Sequence, residues 1–565
     1  HVAGGSVARQ WGYRTTSGGT ITDIPGATAA SYVLNGTDFP AAGGYFLVVR
    51  VTPACGTLQA SNELAVTVDD SPPPGDEVRF FTVTSRNAEN VLEWVNPPTG
   101  GTVSIRFNGS STSCAFPATE TDGAPVPGGS FVATEGARER LAHASLVSTS
   151  VYCYSIFYDS GGGWKGPRTN SGRPFDTSGN VKWAFSSGLF STTPPTVGGA
   201  GVIATNNDNV VHAMARGPAG GEWPAGWRPA LLGGAVQGRS PIVPILVGSS
   251  NPVAFLGAQD GAVYAIDAAV GGAAAAPWTA PAPLGGVVQA APAGVFTAFS
   301  GAFDYLLAGT RDALADNAFV ALDPADGSER GRYQPAAAPD RMGIVSGAAS
   351  VDYATSRVYF ASHAREAGST KTLWCLQLGT SPVFTLGWAR DDLGDIESSP
   401  VVRGGRGYVG SAQSGGTVYS IDAAAGDTDS LTRKFMHGDG QVKGFVFPDR
   451  TSPTGDAFFA TDDLVWVVQD DGSTLTPKYA GGVSLGGGVT PSAVLYVPGS
   501  GRLYAGGSDG RLHEIDVSGP APVVKSVVLG DGAATVGAPS YDLAHGLVHV
   551  GTASGVFYAV QVPLP

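Results

Sequence analysis

Charge is scarce in this sequence: Asp, Glu, Lys and Arg make up 14% of its 565 residues. What charge there is runs acidic, to a formal net charge of −14. That sign disfavours nucleic acid and anionic membrane surfaces as partners, because both select a basic face. Long apolar runs are missing too, and none reaches the roughly 20 residues a helix needs to span a bilayer. Cysteine is limited to Cys55, Cys114, Cys153 and Cys375. No Cys-x-x-Cys-His arrangement occurs, which excludes covalently attached haem. No His-Glu-x-x-His motif is present, and no two histidines sit four apart on a helical stretch. The chain begins at His1 with neither Met nor a secretory leader. That start reads as a processed mature form or as part of something longer. No anchor or sorting signal is legible at the C-terminus.

Glycine and proline are abundant, at 82 and 40 residues, and the hydrophobic fraction of 42% argues against disorder. The composition fits an all-β, turn-rich protein, and the length calls for two to four domains. The second two-thirds repeats one phrase. Its cleanest copy is RLYAGGSDGRLHEID, Arg502 to Asp516: a short β-rich run, a Gly/Asp turn and a returning run. Close copies start at Val253 and Arg406, and looser ones at Val202, Tyr305, Val358, Ala457 and Leu547. The residues just before the turns are Thr205, Gly257, Gly309, Ala361, Gly410, Thr461, Gly506 and Gly551, recurring every 45–52 residues. A period of this length with several strands per unit marks a β-propeller, here with eight blades. Proline-containing segments upstream of the hairpins suit entry into a first strand. Trp278, Tyr333, Trp388 and Phe435 downstream are assigned to outer strands. No outer strand follows the last hairpin, so the orphan strand Val181–Ser187 is expected to join the final blade and close the ring.

The segments YAIDAAVGG (Tyr264–Gly272), VALDPADGS (Val320–Ser328) and YSIDAAAGD (Tyr419–Asp427) carry the most specific part of the pattern. Over residues 181–565 it resembles the quinoprotein-like (PQQ-type) propeller repeat. Quinoprotein dehydrogenases share that repeat with the eight-bladed outer-membrane assembly lipoprotein. The resemblance implies the fold and says little about activity.

Residues 1–70 resemble bacterial surface Ig-like modules, with Trp11 on a strand and Tyr45–Val51 and Leu64–Val68 as the last two strands. A complete sandwich of this type needs about seven strands, and too few residues precede Trp11. The domain is therefore either truncated or structurally incomplete, and an incomplete one exposes an edge that another chain's strand can fill. Residues 71–77 form a stiff Pro-rich linker. Residues 78–175 resemble a fibronectin type III module, with Trp94 on its inner face and Tyr152, Tyr154 and Ile156 alternating on a later strand. Residues 166–179 read as a Gly/Ser/Pro lead into the propeller of 176–565. Cys114 and Cys153 fall in one expected domain and are expected to be bonded, which implies an oxidising compartment. Cys55 has no obvious partner. Cys375 reads as a buried small hydrophobe.

Several chemical motifs dissolve in this context. Gly161, Gly163 and Gly166 match a dinucleotide fingerprint by letter, but no helix follows to meet a pyrophosphate. Gly506, Ser508 and Gly510 match a nucleophile elbow, yet fall in a hairpin turn. His212, His513 and His549 occupy strand positions. The repeated Asp267, Asp323, Asp422 and Asp516 read as turn formers. Asp391, Asp392, Asp395 and Glu397 are weak candidates for calcium, as is the turn Asn206–Asn209, because hard cations take several oxygen ligands. Such residues also satisfy turn backbone unaided. The sequons at Asn35 and Asn108 carry little weight if the source is bacterial.

The expectation is thus a non-enzymatic, exported protein of the cell surface or extracellular space, with no catalytic residues and no cofactor. The propeller would offer a rigid binding face. Self-association through the Ig-like domain or its exposed edge, giving a homopolymer, is one version. The alternatives are a quinoprotein-type oxidoreductase and a periplasmic outer-membrane assembly scaffold. The enzyme reading lacks the adjacent-cysteine pair and the calcium constellation typical of such quinoproteins.

Overall fold

The computed structural model describes residues 7–15, 19–24, 28, 43–53, 59–61, 64–68 and 77–565. Within the last span it leaves out 149, 177–178, 188–193, 199–200, 206–208, 237–241, 244–250, 272–277, 297–302, 313–315, 336, 367, 413–414, 427–432 and 450–454. Asn35, Cys55 and most of the 71–77 linker lie outside the described residues, as do Asn206, Asn207 and Asp208. No helix occurs among the described residues. The chain divides into two compact units, His1–Glu77 and Val78–Pro565.

In the first unit one five-stranded sheet is centred on Gly43–Pro53. Val7–Arg14 pairs antiparallel with it on one side, and Gln59–Ala60 and Leu64–Val68 pair with its remaining length. Thr22–Asp23 extends the sheet beyond Val7–Arg14.

The second unit opens with two sheets around one core. Arg79–Arg86, Glu89–Val95 and Arg138–Ala144 form one sheet; Gly101–Ser110, Ala124–Ala133, Val151–Asp159 and Lys165–Gly172 form the other. Alternation explains the pairing: Tyr152, Tyr154, Ile156 and Tyr158 point inward and pack with Trp94, Leu92, Val103 and Ile105. A disulfide joins Cys114 to Cys153, tying the segment after Gly101–Ser110 to the strand Val151–Asp159. The stretch read as a lead into the propeller is instead largely the strand Lys165–Gly172. Gly and Pro are tolerated there because it is an edge strand, paired only with Val151–Asp159.

Next come seven consecutive antiparallel sheets, six of four strands and one with a fifth short strand. Each is centred on one of the repeated hairpins, as in Val253–Gly257 with Ala262–Asp267 and Arg502–Gly506 with Arg511–Asp516. The outer edge of the last hairpin, Leu547–Gly551 with Val556–Gln561, is paired with no later strand among the described residues. Val181–Ser186 fills the place, pairing Ala184 with Tyr558 and Ser186 with Val556. The other edge of the same strand pairs with Arg79–Arg86, setting Ala184 against Ser85 and Ser186 against Val83. The sheet of Arg79–Arg86 and the sheet of the last hairpin are therefore one continuous seven-stranded sheet.

Neighbouring sheets are joined by indoles resting on glycines. Trp227 lies against Gly271, Trp278 against Gly327 and Trp388 against Gly426, each the end of an Asp-x-x-x-Gly turn in the next sheet. Trp278 Nε1 donates to the Pro324 carbonyl at 3.0 Å, and Trp388 Nε1 to the Ala423 carbonyl at 3.3 Å. Trp278 sits before the outer strand Ala282–Pro283 rather than on it, because its ring must reach the neighbouring turn. Tyr333, Trp388 and Phe435 do lie on outer strands. The three glycines have φ of +64°, +78° and +63°. A side chain there meets both a disfavoured backbone and an occupied ring face. Trp227 and Trp278 are fully buried and each removes roughly 150–250 Å² from water, worth several kcal/mol at about 25 cal/mol per Å², whereas Trp388 is half-buried.

Two stability predictions follow from this packing. Gly327→Val should cost about 2–5 kcal/mol through backbone strain and loss of the Trp278 seat. An exposed control such as Gly162→Val should cost far less. An equal fall in denaturation midpoint for both would refute the docking role. Replacing Cys114 and Cys153 together by Ala should destabilise the sandwich by about 2–5 kcal/mol, read by denaturant unfolding against the oxidised parent.

Candidate binding cleft

The polar letters of the repeat are spent on architecture. Asp267 Oδ1 accepts from the amides of Ala269 (2.8 Å) and Val270 (3.1 Å), and Asp422 Oδ1 from those of Ala424 (2.8 Å) and Ala425 (2.9 Å). Asp323 and Asp516 close their own turns in the same way. Gly161 and Gly163 belong to a hairpin turn whose amides both donate to Asp159 Oδ1. Ser508 Oγ accepts from the Thr490 amide at 2.9 Å, within a hairpin turn.

The acidic residues weighed for calcium do not converge. Asp392 accepts from the Arg390 guanidinium, and Asp395 Oδ1 from the Ala364 amide at 2.7 Å. Glu397 faces His363 at 3.1 Å and accepts from Gln441, while Asp391 is exposed. Among the described residues no group of three or more His, Cys, Asp or Glu is placed to hold a metal ion.

Buried carboxylates instead clasp neighbouring sheets, a role the sequence did not single out. Asp470 accepts from Tyr408 (2.8 Å), Ser420 (3.0 Å) and the Arg433 guanidinium of the preceding sheet. Asp542, in the last sheet, accepts from Arg216 of the first and from His545. Burial pushes the Asp542 carboxyl up, but the neighbouring His549 and the hydrogen bonds from Arg216 and His545 outweigh it and hold it well below the usual carboxylate range. Glu93 of the sandwich, fully buried, binds Arg138 at 2.6 Å and the Trp223 amide of the first propeller sheet at 2.9 Å. Burial is the largest influence on Glu93 and raises its carboxyl.

Cys375 is fully buried, and burial pushes its thiol up to about 11, which makes it unreactive at neutral pH. His513 lies beside Asp509 at 3.1 Å, and His549 packs on Trp183. His212 is buried against Phe185, and neither ring nitrogen has a hydrogen-bond partner among the described residues.

A cleft of about 610 Å³ lies over the junction of the seven-stranded sheet. Its floor is Ser85, Ala184, Ser186, Val556 and Tyr558, on three adjacent strands. One wall carries the Cys114–Cys153 disulfide and Phe116; the other is the outer strand Val523–Val528 of the seventh sheet, through Val527 and Val528. Arg173, Phe175 and Asn180 complete it on the connection from the sandwich. Repeat reading hides this site, because Tyr558 matches Tyr264 and Tyr419 in their hairpins, and the cleft lies where residues 79–180 meet the last hairpins of the repeat. The legible signal was an arginine, Arg173, in an otherwise uncharged Ser-Gly-Arg-Pro-Phe connection.

Successive hairpin-centred antiparallel sheets with repeated Asp–Gly turns define a PQQ-type β-propeller. A family model described as outer membrane protein assembly factor BamB matches residues 249–429, less than half of the chain. Among solved structures, the crystal structure of BamB from Moraxella catarrhalis is 15% identical, covering 67% of this chain and 98% of that one at a TM-score of 0.46. The structure of the Dos1 propeller is 11% identical, covering 67% and 89% at a TM-score of 0.42. No curated protein matches the chain.

Burial moves His212 down to about 3, so its folded form stays neutral where the unfolded chain, titrating near 6.5, takes up a proton. Stability should therefore be unaffected by His212 above pH 6.5 and fall progressively as pH drops toward 3. His212→Phe should flatten that acid limb, by about 1 kcal/mol per pH unit, in urea unfolding from pH 7 to 4.5. An unchanged slope would show that other groups set it.

Proposed function

We propose that this chain is a non-enzymatic, exported protein scaffold. In this reading its eight propeller sheets close into a ring, preceded by a fibronectin-like sandwich and an Ig-like unit, and the ring presents a rigid face to protein partners. One observation carries the reading: the repeated acids close their own turns and the buried carboxylates join sheets to one another, so both sets are engaged in architecture. Contacts between the last and first sheets support closure, since Arg216 binds Asp542 and Ser540 donates to the Pro195 carbonyl. The disulfide supports an oxidising compartment.

The family match favours one specific version, a periplasmic scaffold serving outer-membrane protein assembly. A surface-exposed or extracellular protein, self-associating through residues 1–70, is the other. Protease treatment of intact source cells separates them: the periplasmic version predicts protection until the outer membrane is breached, and the surface version predicts immediate cleavage. Negative-stain images of the purified chain test the common core. They should show an eight-lobed ring, as single particles for the scaffold and as fibres for the polymer. A six- or seven-lobed ring, or an open stack, would overturn the reading.

A further inference from the structure

We infer that the cleft over the sheet junction binds an amphipathic carboxylate, its head group held by Arg173 and Tyr558 and its apolar body by the valine and phenylalanine walls. This goes beyond the scaffold reading and rests on residues that reading does not use.

The first observation is an unspent hydroxyl. At the matching repeat position, Tyr264 donates to Asp260 and accepts from the Gly233 amide. Tyr558 is 7% exposed and on the cleft floor, yet its hydroxyl has no hydrogen-bond partner among the described residues. It lies beside Gly530, where an added methyl would come within 2.8 Å of the oxygen. The hydroxyl opens onto the cleft, so the position suits an acceptor that enters from outside. Burial also raises this phenol, keeping it a neutral donor.

The second observation is an unspent cation. The nearby sandwich arginines are engaged: Arg86 and Arg140 bind Glu222, and Arg138 binds Glu93. Arg173 lines the cleft and makes no hydrogen bond or ion pair among the described residues. Arg173 and Asp531 are both close enough to act electrostatically on Tyr558. A guanidinium presents a planar fork of donors that matches a carboxylate. Asp531, whose Oδ1 accepts from the Ala533 amide, and the exposed Asp176 share the lining. Their negative charge sets the head group at a single charge rather than a dianion. Phe116, Phe175, Val527 and Val528 give the rest of the lining an apolar part beside hydroxyls such as Thr112 and Ser554, and about 610 Å³ falls within the usual range for ligand sites at domain junctions.

Decanoate titrated into the full chain by calorimetry provides the test. One saturable site per chain is expected, weakened about tenfold in Arg173→Gln and less in Tyr558→Phe, with melting temperatures unchanged. Decanol and decyltrimethylammonium should bind no more tightly than decanoate binds the Arg173→Gln variant. Val528→Trp, at an exposed position on the outer strand, should block the cleft mouth without disturbing the floor. Absence of saturable binding, equal affinity in Arg173→Gln, or equal affinity for decanol would overturn the inference. So would unimpaired binding in Val528→Trp, or displacement of decanoate by a peptide whose free C-terminal carboxylate binds more tightly.

Discussion

The strand Val181–Ser186 is hydrogen-bonded along both edges, and the architecture of the second unit depends on that double use. Without it the hairpin ending at Gln561 has a bare outer edge, and the sandwich strand Arg79–Arg86 loses its second neighbour. Exposed edges of this kind invite pairing with other chains. Here one six-residue strand caps both. Two of its side chains are fully buried: Trp183 and Phe185 enter a core shared by the first two hairpin sheets and the sheet of the last hairpin, and Trp183 Nε1 donates to the Gly217 carbonyl at 2.9 Å. Polar contacts reinforce the same joint, with Thr84 donating to the Gly221 carbonyl at 2.9 Å and Arg86 to those of Ala219 and Gly220. A sandwich fixed in this way is part of the propeller's surface, not a tethered appendage, and the cleft is a product of the joint.

Around the remaining sheets the repeated lock is an indole on a left-handed glycine. The lock needs three letters at once: an Asp to close the turn through its carboxylate, a Gly for the positive φ, and a Trp from the preceding sheet. Where the Trp is missing, other pairs serve. Tyr479 donates to the carbonyls of Val517 and Gly519 in the next sheet, and Asp470 and Asp542 bridge sheets through arginines. Hydrophobic burial sets the strength of these contacts, and the hydrogen bonds set the register.

Much of this was legible because the constraint recurs. The Gly/Asp turns at Gly257, Gly410 and Gly506 are local chemistry, and local chemistry repeated at a fixed period identifies hairpins reliably. The turn role of Asp267, Asp323, Asp422 and Asp516 was readable for the same reason. Partners brought together by packing were not. Arg216 and Asp542 are separated by almost the whole propeller, and nothing near either residue names the other. The lead at 166–179 was read as a linker because Gly and Pro signal loops, whereas an edge strand tolerates both. The same blindness hid Tyr558, whose repeat neighbours spend their hydroxyls locally.

The claim that sandwich and propeller are one body through Val181–Ser186 is tested most directly by hydrogen-exchange mass spectrometry of the intact chain in mild denaturant. Peptides covering 79–95, 181–186 and 547–561 should lose protection together, at one denaturant concentration. Loss of protection in 79–95 while 181–186 and 547–561 remain closed would show two independent bodies and contradict the account.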